Sequence, residues 1–270
     1  MLLVLPFHTQ DAKLALNLAK YLELVGPYKS HELLLVTPNH CEEMANKILQ
    51  AVGDQFAKTS IHYLVNHKDG WPVGPNMMFY STMLHIWNNV DCECWYFFEP
   101  DNTPLKPNWL NSLYDEYRRV QRPFLGFIHP THWRRASGEV YDDGVHMTGS
   151  SIYPKNAPRY SILYKTIPFA PIAFDVYWQW DIIKHAASTS LIHHEWRSWK
   201  YKLNKETGEI LGERTPNGTV IPETVRPLSP TAVVHHGCKD GSLMKIMREQ
   251  LTSRKEALEE PELVQETLPV

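Results

Sequence analysis

The chain has 270 residues, 43% hydrophobic and 11% aromatic, which supplies a real core and excludes a disordered protein. Its formal net charge of −3 excludes a globally basic surface, although a local basic groove for phosphates remains compatible with it. No apolar run reaches membrane-spanning length, so no membrane contact is expected.

Residues 2–7 form a short apolar first strand, without the charged start and cleavage site of a signal peptide. Gln10-Asp11 opens a helix in which Leu14, Leu18, Ala19, Leu22 and Val25 recur at helical spacing until Gly26-Pro27 ends it. A second apolar strand over 32–37, a helix over 42–52 closed by Gly53, and a third strand over 61–65 follow. After Gly70-Trp-Pro-Val-Gly74-Pro75-Asn76, a helix covers 76–89 and a strand 95–98. Continuous apolar strands alternating with helices predict a mostly parallel sheet covered on both faces. Right-handed crossovers place every strand-to-helix loop on one sheet edge. No phosphate-cradling glycine fingerprint follows the first strand, so neither a classical dinucleotide fold nor a nucleotide-hydrolase loop is supported.

Beyond residue 120 the alternation breaks down. Strands are expected over 124–129, 145–153 and 231–236, and helices over 175–187 and 242–258. Between them lie a charged loop at 133–143, a basic aromatic segment at 192–201 and a Gly- and Pro-rich loop or hairpin at 204–226. One domain is expected over 1–250, with a regularly alternating half at 1–120, an irregular half at 121–250, and a loose tail at 251–270. Cys41, Cys92, Cys94 and Cys238 lack zinc-ribbon spacing; as free thiols they fit a reducing cytosol, and a cytoplasmic location is expected.

The segment Trp95-Tyr-Phe-Phe-Glu99-Pro-Asp101-Asn carries the densest chemistry. An aromatic strand ends in two acids, which are costly to hold together unless a cation neutralises them. Hard oxygen ligands suit Mg²⁺ or Mn²⁺, which commonly bridge protein carboxylates and substrate phosphates. The same acids also fit a plain turn after a buried strand.

Two motifs, Phe98-Glu99-Pro100-Asp101-Asn102 and the late Val234-His235-His236-Gly237-Cys238-Lys239-Asp240-Gly241, resemble those of metal-dependent, nucleotide-sugar glycosyltransferases of the GT-A fold. The Glu-Pro-Asp form followed by Pro-x-x-Pro-x-Trp-Leu, with His-Gly-x-Lys-Asp, looks like a phage-encoded branch thought to glycosylate hydroxymethylated pyrimidines in DNA. The resemblance implies a GT-A-like α/β fold with a nucleotide-sugar half at 1–120 and an acceptor half at 121–250, a nucleotide-sugar donor (a UDP-sugar in particular), and Mn²⁺ or Mg²⁺. It implies Asp101 and His236 as metal ligands, Glu99 on the ribose or a metal-bound water, and Lys239 on a phosphate. Strand alternation sends His235 to the opposite face from His236. Pro6-Phe7-His8 resembles the place that receives the nucleotide base, with Asp11 as a base contact or a helix cap, and Gly74-Pro75-Asn76 resembles a loop closing over the nucleotide.

The second half supplies the acceptor side. Gly149 in Thr148-Gly149-Ser150-Ser151 removes a side chain where an acceptor would approach. Asp175 is the candidate base for an inverting reaction, with helix capping as its alternative. Trp133-Arg134-Arg135 and the 196–202 segment mix cations with rings, as nucleic-acid-binding surfaces do; snorkelling arginines on a buried helix also fit. His193-His194-Glu195 lacks the helical spacing of a zinc site. A glycan, lipid or protein hydroxyl is the alternative acceptor, and a non-catalytic binding module the alternative function.

Overall fold

The computed structural model describes residues 1–65, 68–134, 140–195, 199–214 and 226–259. In chain order, the first half runs β1 (Leu2–Pro6), α1 (Ala12–Val25), β2 (Tyr28–Pro38), α2 (Glu42–Val52), β3 (Phe56–Leu64), α3 (Val73–Asn89), β4 (Cys94–Phe97), β5 (Thr103–Pro104) and α4 (Trp109–Val120). The second half runs β6 (Phe124–Gly126), β7 (Ile128–Arg134), β8 (Val140–Met147), β9 (Ile152–Pro154), α5 (Phe174–Tyr177), α6 (Gln179–Ile182) and β10 (Ala186–Ser188). It continues with β11 (Ile192–His194), β12 (Trp199–Leu203), β13 (Ile210–Arg214), β14 (Arg226–Pro227), β15 (Val234–His236) and α7 (Ser242–Glu259).

Seven strands make the central sheet, in the order β10-β6-β9-β4-β1-β2-β3. Only β9 runs antiparallel to its neighbours; the rest are parallel. Period-two alternation divides each continuous apolar strand between two cores. Leu3, Leu5, Leu33, Leu35, Tyr96 and Phe98 face one layer, with Leu18 and Leu22 of α1, Ile48 of α2 and Trp109 of α4. Leu2, Val4, Leu34, Val36, Trp95 and Phe97 face the other, with Phe79, Met83 and Ile86 of α3. There Phe79 stacks on Phe174 at 3.8 Å between ring centroids. Helices thus cover both faces of a mostly parallel sheet, the α/β architecture expected.

Three smaller sheets extend this frame: β11-β15-β5, β12-β13-β14 and the β7-β8 hairpin. The first is the one that matters for the site. β15 pairs antiparallel with β5, Val234 opposite Pro104 and His235 opposite Thr103. The late histidine strand is thereby fastened just after the acids that follow β4.

Four expectations need correction. The strand expected over 124–129 breaks at Phe127, and that over 145–153 breaks at 148–151, so each splits between the central sheet and the hairpin. At the second break the hydroxyls compete with the ladder: Ser151 Oγ donates to the Thr148 carbonyl at 2.6 Å, and Ser150 Oγ to the Phe97 carbonyl at 3.0 Å. The single helix expected over 175–187 is two short turns, α5 and α6, and then β10, because fully buried Trp178 interrupts it with φ −96° and ψ 2°. The charged loop expected at 133–143 holds the ends of β7 and β8, with residues 135–139 outside the described residues. The helix expected over 242–258 is α7, and residues 260–270 of the expected tail lie outside the described residues.

Candidate functional site

Because β1, β3 and β4 are parallel, the loops that leave them share one sheet edge. They enclose a cavity of about 460 Å³, a volume suited to a small ligand. Pro6, His8 and Asp11 line it from the first loop, Asp69, Gly70 and Trp71 from the second, Glu99 and Asp101 from the third, with Lys239 beside them. His8 Nε2 lies 2.8 Å from Asp69 Oδ1, joining the first two loops. Among the described residues no helix is long and apolar enough to cross a membrane.

The acid turn is held rigidly. Asn102, fully buried, donates from Nδ2 to the Glu99 carbonyl at 2.9 Å. Its Oδ1 accepts from the Tyr96 hydroxyl at 3.2 Å and lies 3.0 Å from Ser150 Oγ. In the sequence Asn102 stands in the motif with no assigned task. An asparagine closing a tight turn was the available signal.

On this turn Glu99, Asp101 and His236 converge, with one ligand atom from each within 4.8 Å of the others. His236 Nε2 sits 2.8 Å from Glu99 Oε2 and 3.3 Å from Asp101 Oδ1, and Lys239 Nζ sits 3.2 Å from Asp101 Oδ2. Burial favours a neutral Asp101, but the His236 and Lys239 charges outweigh it and hold the carboxyl well below its usual range. Burial likewise favours a neutral His236, yet Asp101 and Glu99 push it up to about 10. The two carboxylates are thus balanced by protein cations. Two carboxylate oxygens and one imidazole nitrogen form a donor set that suits Mn²⁺ or Mg²⁺, so the residues present fit such an ion.

His235 faces the other way, as alternation requires. It is fully buried, bonded through Nε2 to the Tyr201 hydroxyl, and burial beside His193 lowers its pKa to about 3. Gly237 follows at φ +109°, where a Cβ would collide with the Glu195 carbonyl oxygen, so only glycine lets the two strands come this close.

The remaining expected residues scatter. Phe7 is buried in the core and its amide donates to the Val36 carbonyl at 3.0 Å, so its ring offers no platform; Pro6 and His8 on either side of it line the cavity. Asp11 stands at the N-cap position of α1 but makes no side-chain cap bond; its Oδ1 accepts from the His8 amide at 2.6 Å, at the cavity lining. Asn76 lies inside α3 and is fully buried. Its Nδ2 donates to the carbonyls of Ile172 at 2.9 Å and Ala170 at 3.3 Å, so it ties α3 to that segment instead of lining the cavity. Asp175 also lies outside the cavity lining. Its oxygens accept from the Gly149 and Val176 amides, both at 3.0 Å, and burial with the nearby Glu99 charge raises its pKa to about 6. The side chains at 133–135 and 196–199 lie outside the described residues.

No protein-family profile matches the chain, and no curated protein matches it in sequence. Solved structures match its fold. The galactosyltransferase LgtC, in complex with donor and acceptor sugar analogues, is 13% identical with a TM-score of 0.50, over 94% of this chain and 96% of that one. Mouse xyloside xylosyltransferase 1, apo form, is 10% identical with a TM-score of 0.47, over 72% of this chain and 87% of that one. The LgtC likeness together with the mostly parallel seven-stranded sheet gives the chain a GT-A-like fold.

Proposed function

We propose that this protein is a metal-dependent glycosyltransferase that takes a sugar from a nucleotide sugar, a UDP-sugar in particular. The observation that carries the reading is the convergence of His236 on Glu99 and Asp101, two acids that line the cavity built by the three parallel-strand loops. Glu99, Asp101 and His236 would hold Mn²⁺ or Mg²⁺, which supplies neutralisation of the charge that develops on a departing nucleoside diphosphate. Lys239, largely exposed and paired with Asp101, would exchange that partner for a phosphate oxygen. His8, with Pro6 beside it in the cavity lining, would receive the base. If the reaction inverts the anomeric carbon, Asp175 would take the proton of the attacking hydroxyl. A carboxyl raised to about 6 and anchored by two amides suits that task.

For the acceptor we propose a hydroxymethyl group on a pyrimidine in DNA. The motif resemblance is the main support. A second support is the strand β12, which turns Tyr201 inward and leaves Lys200 and Lys202 exposed. The Tyr201 amide donates to Ser242 Oγ at 2.8 Å, which fastens this cationic strand close to Lys239 in sequence. The test is incubation with a panel of nucleotide sugars, Mn²⁺, and hydroxymethylated or plain DNA, followed by digestion to nucleosides and mass analysis. A sugar mass on the modified nucleoside alone is expected. Donor turnover with no DNA product would direct the same chemistry to a glycan, lipid or protein hydroxyl, and no turnover of any donor would leave a binding module.

A further inference from the structure

The metal reading leaves a second histidine unused at the same place. β11 and β15 run parallel, and their register sets His193 beside His235 and His194 beside His236. Paired positions on neighbouring strands point to the same face, so the His194 ring follows His236 toward the acids. Their Nδ1 atoms are 2.9 Å apart. Two ring nitrogens at that distance require one to donate and the other to accept. His236 Nε2 faces Glu99 and Asp101, while its Nδ1 faces only His194 in the bonds described. His194 is itself held from behind: its ring stacks on His129 at 5.4 Å and lies 6.3 Å from Phe127. The Glu195 amide donates to the His236 carbonyl at 3.1 Å, so the two strands cannot slide apart at this point.

We infer that His194 is the positioning residue for His236: its Nδ1 accepts the His236 Nδ1 proton, fixes the ring, and leaves Nε2 as the atom presented to Glu99, Asp101 and a divalent cation. A ligating histidine whose second nitrogen donates to a fixed acceptor is oriented and made more basic. His194 would touch neither donor nor acceptor. The neighbouring His193 has a different partner, Glu195 Oε1 at 3.0 Å, and takes no part. This inference rests on the metal reading proposed above.

The test compares wild type with His194→Leu, which removes the acceptor, and His194→Asn, whose Oδ1 occupies roughly the place of Nδ1. Mn²⁺ affinity is read by calorimetry on the full chain. Loss of an outer partner predicts a 10- to 100-fold weaker affinity (order of magnitude) for the leucine variant, with the asparagine variant within about 3-fold of wild type. A leucine variant that binds like wild type, or an asparagine variant as weak as leucine, would overturn the positioning role. Absence of Mn²⁺ binding in wild type would instead sink the metal reading. Imidazole ¹⁵N shifts of metal-free wild type decide the remaining point without any variant: His236 Nδ1 is expected to be protonated, and an unprotonated Nδ1 would overturn the inference.

Discussion

His236 Nε2 lies 2.8 Å from Glu99 Oε2 although more than half the chain separates them. The short β5–β15 pairing brings them together by setting His235 opposite Thr103, so the next residue along reaches the acid turn. The acids and the histidine are consequently one unit, and variants at either end should behave alike.

Replacing Asp101 by Ala is expected to lower transfer by at least about 10²-fold, the scale seen when a group that stabilises developing charge is lost. The fold should persist, since the variant leaves both cores untouched. Steady-state rates and thermal melts on the same preparation check this. A variant with near-normal rate would remove Asp101 from the site.

The two neighbouring histidines should separate cleanly. His236→Ala is expected to weaken Mn²⁺-dependent donor binding, and in metal-free protein also to lose the stability that its ion pairs with Glu99 and Asp101 contribute. His235→Ala, which deletes a buried hydrogen bond to Tyr201, should cost about 1–3 kcal/mol of stability and spare donor binding. Donor titrations and denaturant unfolding of both variants measure the difference, and equal losses of donor binding would contradict the assigned faces.

The pH dependence follows from His236 and Asp175. In metal-free protein the His236 pKa is raised from its ordinary 6.5 to about 10, so its ion pairs contribute stability that is complete below pH 6.5 and lost as pH rises through 10. Melting temperature of metal-free protein should fall across that window, and His236→Gln should flatten the fall. Mn²⁺ affinity should rise with pH over the same range, because the ion displaces the Nε2 proton. A slope that His236→Gln leaves unchanged would assign it to other groups.

Asp175 makes a kinetic counterpart. Its carboxyl is raised to about 6, so as a general base it should be active above that pH and fail below it. Transfer should drop on acidification through pH 6, and Asp175→Asn should remove that limb together with about 10²–10⁴-fold of rate. A pH profile unchanged in the variant would favour a reaction that needs no base.

For the acceptor, Lys200→Ala and Lys202→Ala should each reduce the salt slope of DNA binding by about one, while donor hydrolysis without DNA survives. Transfer to hydroxymethylated DNA across several salt concentrations is the measurement. An unchanged slope in both would move the acceptor to a glycan, lipid or protein.

The first half of the fold was legible because each strand is continuously apolar and each helix carries 3.6-residue spacing. The strands are longer than their apolar runs: β2 begins at Tyr28 and β3 at Phe56, because these two residues pair with each other ahead of the continuous ladder. The second half was less legible, since its strands exchange sheets at Phe127 and at 148–151, which local periodicity does not record. In the site, the acid pair and the orientation of His236 could be argued from strand ends and alternation. The tasks of Asn76 and Phe7 could not, because both depend on which distant segment packs on them. Nor could the His194–His236 contact, which arises from register between strands far apart in sequence.

The central claim is tested most directly by stripping the protein of metal, then following release of nucleoside diphosphate from UDP-sugars before and after Mn²⁺ is restored, in wild type and Asp101→Ala. The account predicts no turnover in chelator, recovery with Mn²⁺ in wild type, and none in the variant. Full turnover in chelator, or no turnover of any nucleotide sugar with Mn²⁺ present, would contradict it.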